Sequence, residues 1–291
     1  MPRIAYVDGA YVPLSEAAVS IEDRGFQFAD GVYEVAAAFD GKLFDFEGHA
    51  ARLRRNLAEL SIDEPMSAKA LELVGRKLLA KNGGGTALLY IQVTRGQARR
   101  DHPFPAVSTP TLVMTARGYD YAPRVKQQLN GVKLLTQPDE RWGRCDIKSV
   151  ALLANVLAKQ AARQAGAFEA VLVEDDGTVT EGASTNIWIV DRNGMIVTHP
   201  AGRKILSGIV RDTLMRLAKA DGLKVVERAF DVAEMNAAAE VFVTSTTALC
   251  IGVSSIDGTP VGSGTPGPVS RRLGALVWDE IARQTGYRPA V

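Results

Sequence analysis

Cysteine is nearly absent from this 291-residue chain, which has only Cys145 and Cys250. That excludes a disulfide-stapled scaffold, and without any Cys-x-x-Cys spacing the reading is a reduced, cytoplasmic protein. Histidine is as scarce: His49, His102 and His199 stand far apart with no His-x-x-x-His or His-Glu-x-x-His arrangement, so no metal site is expected. Excess charge of one sign is also missing, since 34 Lys and Arg face 33 Asp and Glu. No global field recruits nucleic acid or an anionic membrane, and small-molecule chemistry becomes the better reading. No uncharged apolar run approaches the ~20 residues that span a bilayer. The opening Met-Pro-Arg-Ile-Ala-Tyr-Val lacks the basic-then-apolar order of a signal peptide. There is no internal repeat and no low-complexity tract.

What is present is ordinary globular composition, 46% hydrophobic and 23% charged, at a length that suits one large or two medium domains. Asp8-Gly9 and Asp40-Gly41 separate short apolar runs, and Asp-Gly accepts the positive φ angles of a two-residue hairpin turn. Helices are predicted over Glu47–Leu60, where Ala50, Leu53, Leu57 and Leu60 recur at helical spacing, and from a Ser67 cap to about Ala80. Strands at Ala87–Thr94 and Thr111–Thr115 complete a first α+β half. Gly118-Tyr-Asp-Tyr-Ala-Pro123 breaks the pattern and marks a linker. Beyond it, strands are predicted at Val132–Leu135, Glu169–Val173, Ile187–Val190, Met195–Thr198 and Glu240–Thr244, and helices at Val150–Ala165, Gly208–Ala220 and Val269–Gln284. Strands outnumber βαβ units, which disfavours a doubly wound dinucleotide fold.

Two glycine-rich stretches imitate nucleotide loops. Gly262-Ser-Gly264-Thr-Pro-Gly267 fits the bare Gly-x-Gly-x-x-Gly pattern, but Pro266 and Pro268 delete backbone donors that a pyrophosphate would need. The surrounding 258–268 stretch is therefore read as an exposed loop. Asn82-Gly-Gly-Gly-Thr86 lacks the Gly-Lys-Ser/Thr ending of a phosphate loop and reads as a helix-ending turn.

Four segments carry chemistry. Lys148, between a β segment and a helix expected to open near Val150, would be unusually fixed for a lysine; most lysines are solvated surface charges, but one held beside apolar residues can have its charged form disfavoured, which suits Schiff-base chemistry. Glu181, expected between two strands, is a carboxylate with no structural need to be there; it reads either as a solvated loop carboxylate or as a chemical group. Facing a pyridine nitrogen it would keep that nitrogen protonated. The stretch 204–212 reads as a loop entering a helix, with the Ile209 and Val210 amides open to a phosphate. Thr244-Ser-Thr-Thr247, after a strand, offers hydroxyl donors.

Together these segments resemble the fold-type IV pyridoxal-phosphate aminotransferases, within them the bacterial D-amino-acid branch. The resemblance runs in order through Glu22-Asp-Arg-Gly-Phe-Gln-Phe-Ala-Asp-Gly-Val-Tyr33-Glu34, His49-Ala-Ala-Arg52-Leu53, Val93-Thr-Arg-Gly, Arg100-Asp-His102, Arg141-Trp-Gly-Arg-Cys-Asp-Ile-Lys148-Ser149, Val179-Thr-Glu181-Gly182 and Val243-Thr-Ser-Thr-Thr247. It implies an α+β, two-domain architecture: a small N-terminal α+β domain over residues 1–118, a linker over 119–124, and a larger C-terminal cofactor-binding domain over 125–291 with a mixed, barrel-like sheet.

It also implies roles. Lys148 would bind pyridoxal 5′-phosphate as a Schiff base and shuttle the substrate proton. Glu181 would face the pyridine nitrogen and Leu206 would pack on the ring. Arg52, the Ile209 and Val210 amides and the Thr246 hydroxyl would hold the phosphate. Tyr33, Arg100 and His102 would trap the substrate α-carboxylate, the last two supplied by the partner subunit of a homodimer. That placement lets the lysine reach the α-hydrogen of the D enantiomer only. The departure from the pattern is Ala183, where relatives often carry serine. The implied reaction is transamination of D-amino acids, D-alanine first, with 2-oxo acids such as 2-oxoglutarate. A branched-chain L-amino-acid aminotransferase, an aminodeoxychorismate lyase, or a non-catalytic protein on the same fold are the alternatives.

Overall fold

A computed structural model describes residues 3–289, which form two compact units: one over residues up to 120 together with 147–151, the other over 121–146 and from 152 onward.

The first unit runs β1 (Ile4–Val7), β2 (Ala10–Pro13), α1 (Arg24–Phe28), β3 (Gly31–Phe39), β4 (Lys42–Leu43), α2 (Phe46–Glu59), α3 (Ala68–Lys81), β5 (Ala87–Thr94) and β6 (Thr111–Gly118). Its strands make one antiparallel sheet in the order β2-β1-β6-β5-β3-β4. The two expected hairpins form for the expected reason, with positive φ at Asp8, Gly9, Asp40 and Gly41. Ser67 Oγ accepts from Ala70 N and caps α3, and the Asn82-Gly-Gly-Gly run closes that helix. Alternation along β3 gives its two faces different work. Val32, Ala36 and Ala38 point into the core with Leu53 and Leu57 of α2, each buried leucine contributing about 2 kcal/mol. Tyr33 lies on the opposite face.

The second unit runs α4 (Ala122–Asn130), β7 (Val132–Pro138), α5 (Leu153–Gln164), β8 (Glu169–Val173), β9 (Val179–Gly182), β10 (Asn186–Val190), β11 (Ile196–Thr198), α6 (Ile209–Ala220), β12 (Val225–Glu227), α7 (Val232–Ala237), β13 (Glu240–Ser245), β14 (Leu249–Ile256), β15 (Thr259–Pro260) and α8 (Pro268–Thr285). Its mixed sheet has the order β12-β11-β10-β13-β14-β7-β8-β9, with β15 on β14. The sheet curls. β9 and β10 are far apart in this order, yet Gly182 N donates to Thr185 O and the Asn186 amide reaches Glu181.

Four expectations need correction. The helix expected from Val150 begins at Leu153, because residues 147–151 are extended against β3: Tyr33 N donates to Lys148 O and Val150 N to Gly31 O. Glu181 lies within β9 rather than between strands. The 258–268 stretch is only partly a loop. Asp257 and Gly258, both at positive φ, turn β14 into β15, and Val261 is buried. Finally, Ala122 and Pro123 of the expected linker begin α4, with proline in the first helical turn, where its missing N–H costs nothing.

Candidate active site

The first unit gathers Tyr33, Lys148, Glu34, His49 and Arg52 around β3. The Lys148 Nζ lies 4.4 Å from the centre of the Tyr33 ring, and that ring stacks on Tyr90 at 5.6 Å. Lys148 is half-buried, and two backbone hydrogen bonds to β3 fix its segment. The ring face holds the amine, and among the described residues no carboxylate is paired with it.

On the opposite face of β3, Glu34 is completely buried. Its Oε1 accepts from Arg52 Nε at 2.7 Å, and its Oε2 from Arg52 Nη2 at 2.8 Å and from the His49 ring at 2.7 Å. His49 and Arg52 are one turn apart on α2, so one carboxylate meets both. Burial pushes the Glu34 carboxyl pKa up, but the Arg52 charge and the hydrogen bonds from Arg52 and His49 outweigh it and bring it down to about 2. Arg52 is thereby set apart from its exposed neighbours Arg54 and Arg55, with 9% of its side chain exposed.

Arg100 and His102 lie in the connection between β5 and β6. Both are exposed, and both rest on Phe28 of α1: the Arg100 guanidinium carbon is 5.0 Å from the ring centre and the His102 ring 5.6 Å away. No hydrogen bond, ion pair or ring contact joins either to Tyr33 among the described residues.

In the second unit, Glu181 is 6% exposed and accepts from Arg141 Nη1, from Asn186 Nδ2 at 3.0 Å and from the Leu206 amide at 3.1 and 3.2 Å. Arg141 also forks onto Asp139, at 2.8 Å through both Nε and Nη2. Burial works against the Arg141 charge, but the Asp139 hydrogen bonds and the Glu181 and Asp139 charges raise its pKa further above the ordinary arginine range. Asn186 is the link between the carboxylate and the next helix, since its Nδ2 also donates to Leu206 O at 2.9 Å. A Cβ on Gly208 would stand 2.2 Å from Asn186 Oδ1, so this close approach requires glycine. The same glycine is the N-cap of α6 and offers no side-chain acceptor, so no side chain of the cap residue satisfies the first-turn amides. Register pairs Asn186 with Thr244, which places Thr246, in the turn after β13, at the same end of the sheet.

The surroundings of Cys145 disfavour its thiolate. Burial is the main cause that pushes its thiol up to about 11, and its Sγ donates to Trp142 O at 3.1 Å.

The residues alone assign no role to Glu34, His49, Asn186, Asp139 or Arg141. A signal for the first exists. Glu34 breaks the apolar face Val32–Ala36–Ala38, and a glutamate on a core face demands a cation nearby.

A model of the family described as amino-transferase class IV matches residues 31–256. The D-alanine aminotransferase of Bacillus licheniformis is 44% identical over 96% of this chain and 97% of its own. Those of Listeria monocytogenes serotype 4b (strain F2365) and Staphylococcus haemolyticus are 39% and 41% identical, over 96% and 92% of this chain and 96% and 94% of theirs. Among solved structures, a T.th. branched-chain amino acid aminotransferase with pyridoxamine 5′-phosphate superposes with a TM-score of 0.88 at 27% identity, covering 99% of this chain and 96% of that one. The Escherichia coli branched-chain enzyme, at 24% identity and a TM-score of 0.86 with the same coverage, shares the fold. With a family model over most of its length and relatives of this identity end to end, the chain belongs to the class IV aminotransferases.

Proposed function

We propose that this protein transaminates D-amino acids, with D-alanine and 2-oxoglutarate as its principal pair, using pyridoxal 5′-phosphate. The observation that carries the reading is the joint presence of Lys148 against Tyr33, Glu181 buried beside the α6 N-terminus, and the Arg100-Asp-His102 segment, in a chain 44% identical to a D-alanine aminotransferase. The branched-chain reading rests on solved neighbours of lower identity.

The donor set fits the cofactor: a fixed lysine amine, a buried carboxylate, and an N-cap glycine that leaves helix amides to a phosphate. When bound, pyridoxal phosphate supplies an aldehyde carbon that takes up the amino group and a ring that accepts the electron pair released at the substrate α-carbon. Lys148 Nζ would hold the cofactor and carry the α-proton. Glu181, oriented by Arg141, Asn186 and the Leu206 amide, would keep the ring nitrogen protonated, and the Leu206 side chain would lie beside the ring. Arg52, fixed by Glu34, would bind the phosphate, as would the Ile209 and Val210 amides and the Thr246 hydroxyl. Tyr33 orients the substrate carboxylate together with Arg100 and His102 of a second copy, so the active form is a homodimer. The exposure of both side chains supports their service to another chain. A guanidinium suits a carboxylate because two parallel N–H donors match its two oxygens.

The test is the absorbance of the purified holoenzyme titrated with D-alanine, L-alanine and L-leucine. D-alanine alone should shift the cofactor band and yield pyruvate; an equal response to L-leucine would give the branched-chain reading instead.

A further inference from the structure

The connection from β5 to β6, residues 95–110, has no helix or strand of its own, yet it carries Arg100 and His102. Its root is tied by Arg95 N to Asp30 O and by Arg24 N to Gly96 O, both at 3.0 Å, and by Ala98 N to Glu22 O at 3.2 Å. Further out, one side chain takes over. Arg24 Nη1 donates to Asp101 O at 2.6 Å and to Pro103 O at 3.4 Å, and Nη2 donates to His102 O at 3.2 Å. Three consecutive carbonyls therefore accept from a single guanidinium, and that guanidinium is itself buried and held by further contacts. It is 3% exposed, its Nε donates to Asp30 Oδ2 at 2.8 Å, and its carbon lies 4.8 Å from the centre of the Phe28 ring. Asp30 is fixed in turn by the Arg95 fork, Nε to Oδ2 at 2.7 Å and Nη2 to Oδ1 at 3.0 Å. Phe28 is the ring on which Arg100 and His102 rest.

We propose that Arg24 is the positioning residue of the substrate-carboxylate trap: it replaces the missing secondary structure of this connection and sets where Arg100 and His102 stand. The proposal rests on the reading of those two residues given above and gives Arg24 no contact with substrate. The physical argument is one of rigidity. A guanidinium has five donors in a fixed plane, so once Asp30 fixes Nε the remaining donors point in set directions. A flexible ammonium cannot reproduce that fork. Arg100 and His102 are exposed, so the backbone beneath them and the Phe28 ring beside them determine their place. Small errors in placing such groups are costly in rate.

Holoenzyme carrying Arg24→Met or Arg24→Lys is compared with wild type on D-alanine and on D-alaninamide, which keeps the amine and the α-hydrogen but lacks the carboxylate. We expect the KM for D-alanine to rise on the order of tenfold. The cofactor absorbance and the rate on D-alaninamide should stay unchanged. Arg24→Met combined with Arg100→Leu should cost less than the two single losses added together, because both act on the same trap and only the placement of His102 is left for Arg24 to disturb. Equal losses on both donors would make Arg24 a general fold residue and overturn the proposal, as would an unchanged KM for D-alanine. Arg24→Lys, which keeps a charge opposite Asp30, decides the matter if the methionine variant does not fold. Arg100→Leu alone tests the underlying reading: unaltered D-alanine kinetics there would remove the trap itself, whereas a raised KM there with normal kinetics in both Arg24 variants would remove only the role of Arg24.

Discussion

Two buried glutamates, one in each unit, look alike and are built for different ends. Glu34 on β3 and Glu181 on β9 are both strand residues, and both accept hydrogen bonds from an arginine. Glu34 receives His49 and Arg52 from a single helix. Its carboxylate is used to fix an arginine. Glu181 collects donors from three separate places, Arg141, Asn186 and the Leu206 amide, so it is itself the group being fixed. The lesson is that burial of a charge does not reveal its function. The direction in which the surrounding donors converge does.

That contrast can be broken by substitution. The largest effect is expected at the amine proposed to do the chemistry: Lys148→Ala should lower D-alanine turnover by at least about 10³-fold while the protein still takes up pyridoxal phosphate, measured by single-turnover kinetics and cofactor content. Next, Glu181→Gln should cost about 10²-fold in turnover at saturating cofactor, because the proposed electrostatic partner of the ring nitrogen would be lost. Glu34→Gln should do the reverse, costing about 3 kcal/mol in denaturant melts by leaving Arg52 without its ion pair, with turnover at saturating cofactor within a few-fold of wild type. If the two variants lose stability and turnover in the same proportion, the distinction between the two carboxylates fails.

The smallest effect sharpens the comparison through pH. The Glu34 carboxyl is depressed from its ordinary 4.5 to about 2, so its contribution to stability is fully present above about 4.5 and is lost as pH falls from there through about 2. Denaturant melts between pH 2 and 5 should therefore be steeper in pH for wild type than for Glu34→Gln. Coincident slopes would show that Glu34 does not bind its cations more strongly when ionised.

Much of the fold is legible in short stretches of sequence. The Asp8-Gly9 and Asp40-Gly41 hairpins, the Ser67 cap and the α2 stripe depend on interactions a few residues apart, and these form as the local pattern predicts. Asp257-Gly258 carries the same turn signal, and it makes the β14–β15 hairpin inside a stretch whose glycine and proline content reads as loop. The start of α5 departs from expectation for a different reason. Helical composition after Lys148 favours an early start, but pairing of 147–151 with β3 wins, and no local propensity encodes a partner more than a hundred residues away.

The sequence by itself determined the turn positions, the helix faces and the ordered motifs that place this chain among the class IV aminotransferases, since each depends on short-range sterics or on residue identity. Only the tertiary structure decided that Glu34 serves Arg52, that Asn186 joins Glu181 to the start of α6, and that Arg24 grips three carbonyls of the 95–110 connection. Those are pairings between distant segments. Their geometry exists only once the sheets have brought the segments together, because a hydrogen bond requires its donor and acceptor to lie within about 3 Å of each other whatever their separation in sequence.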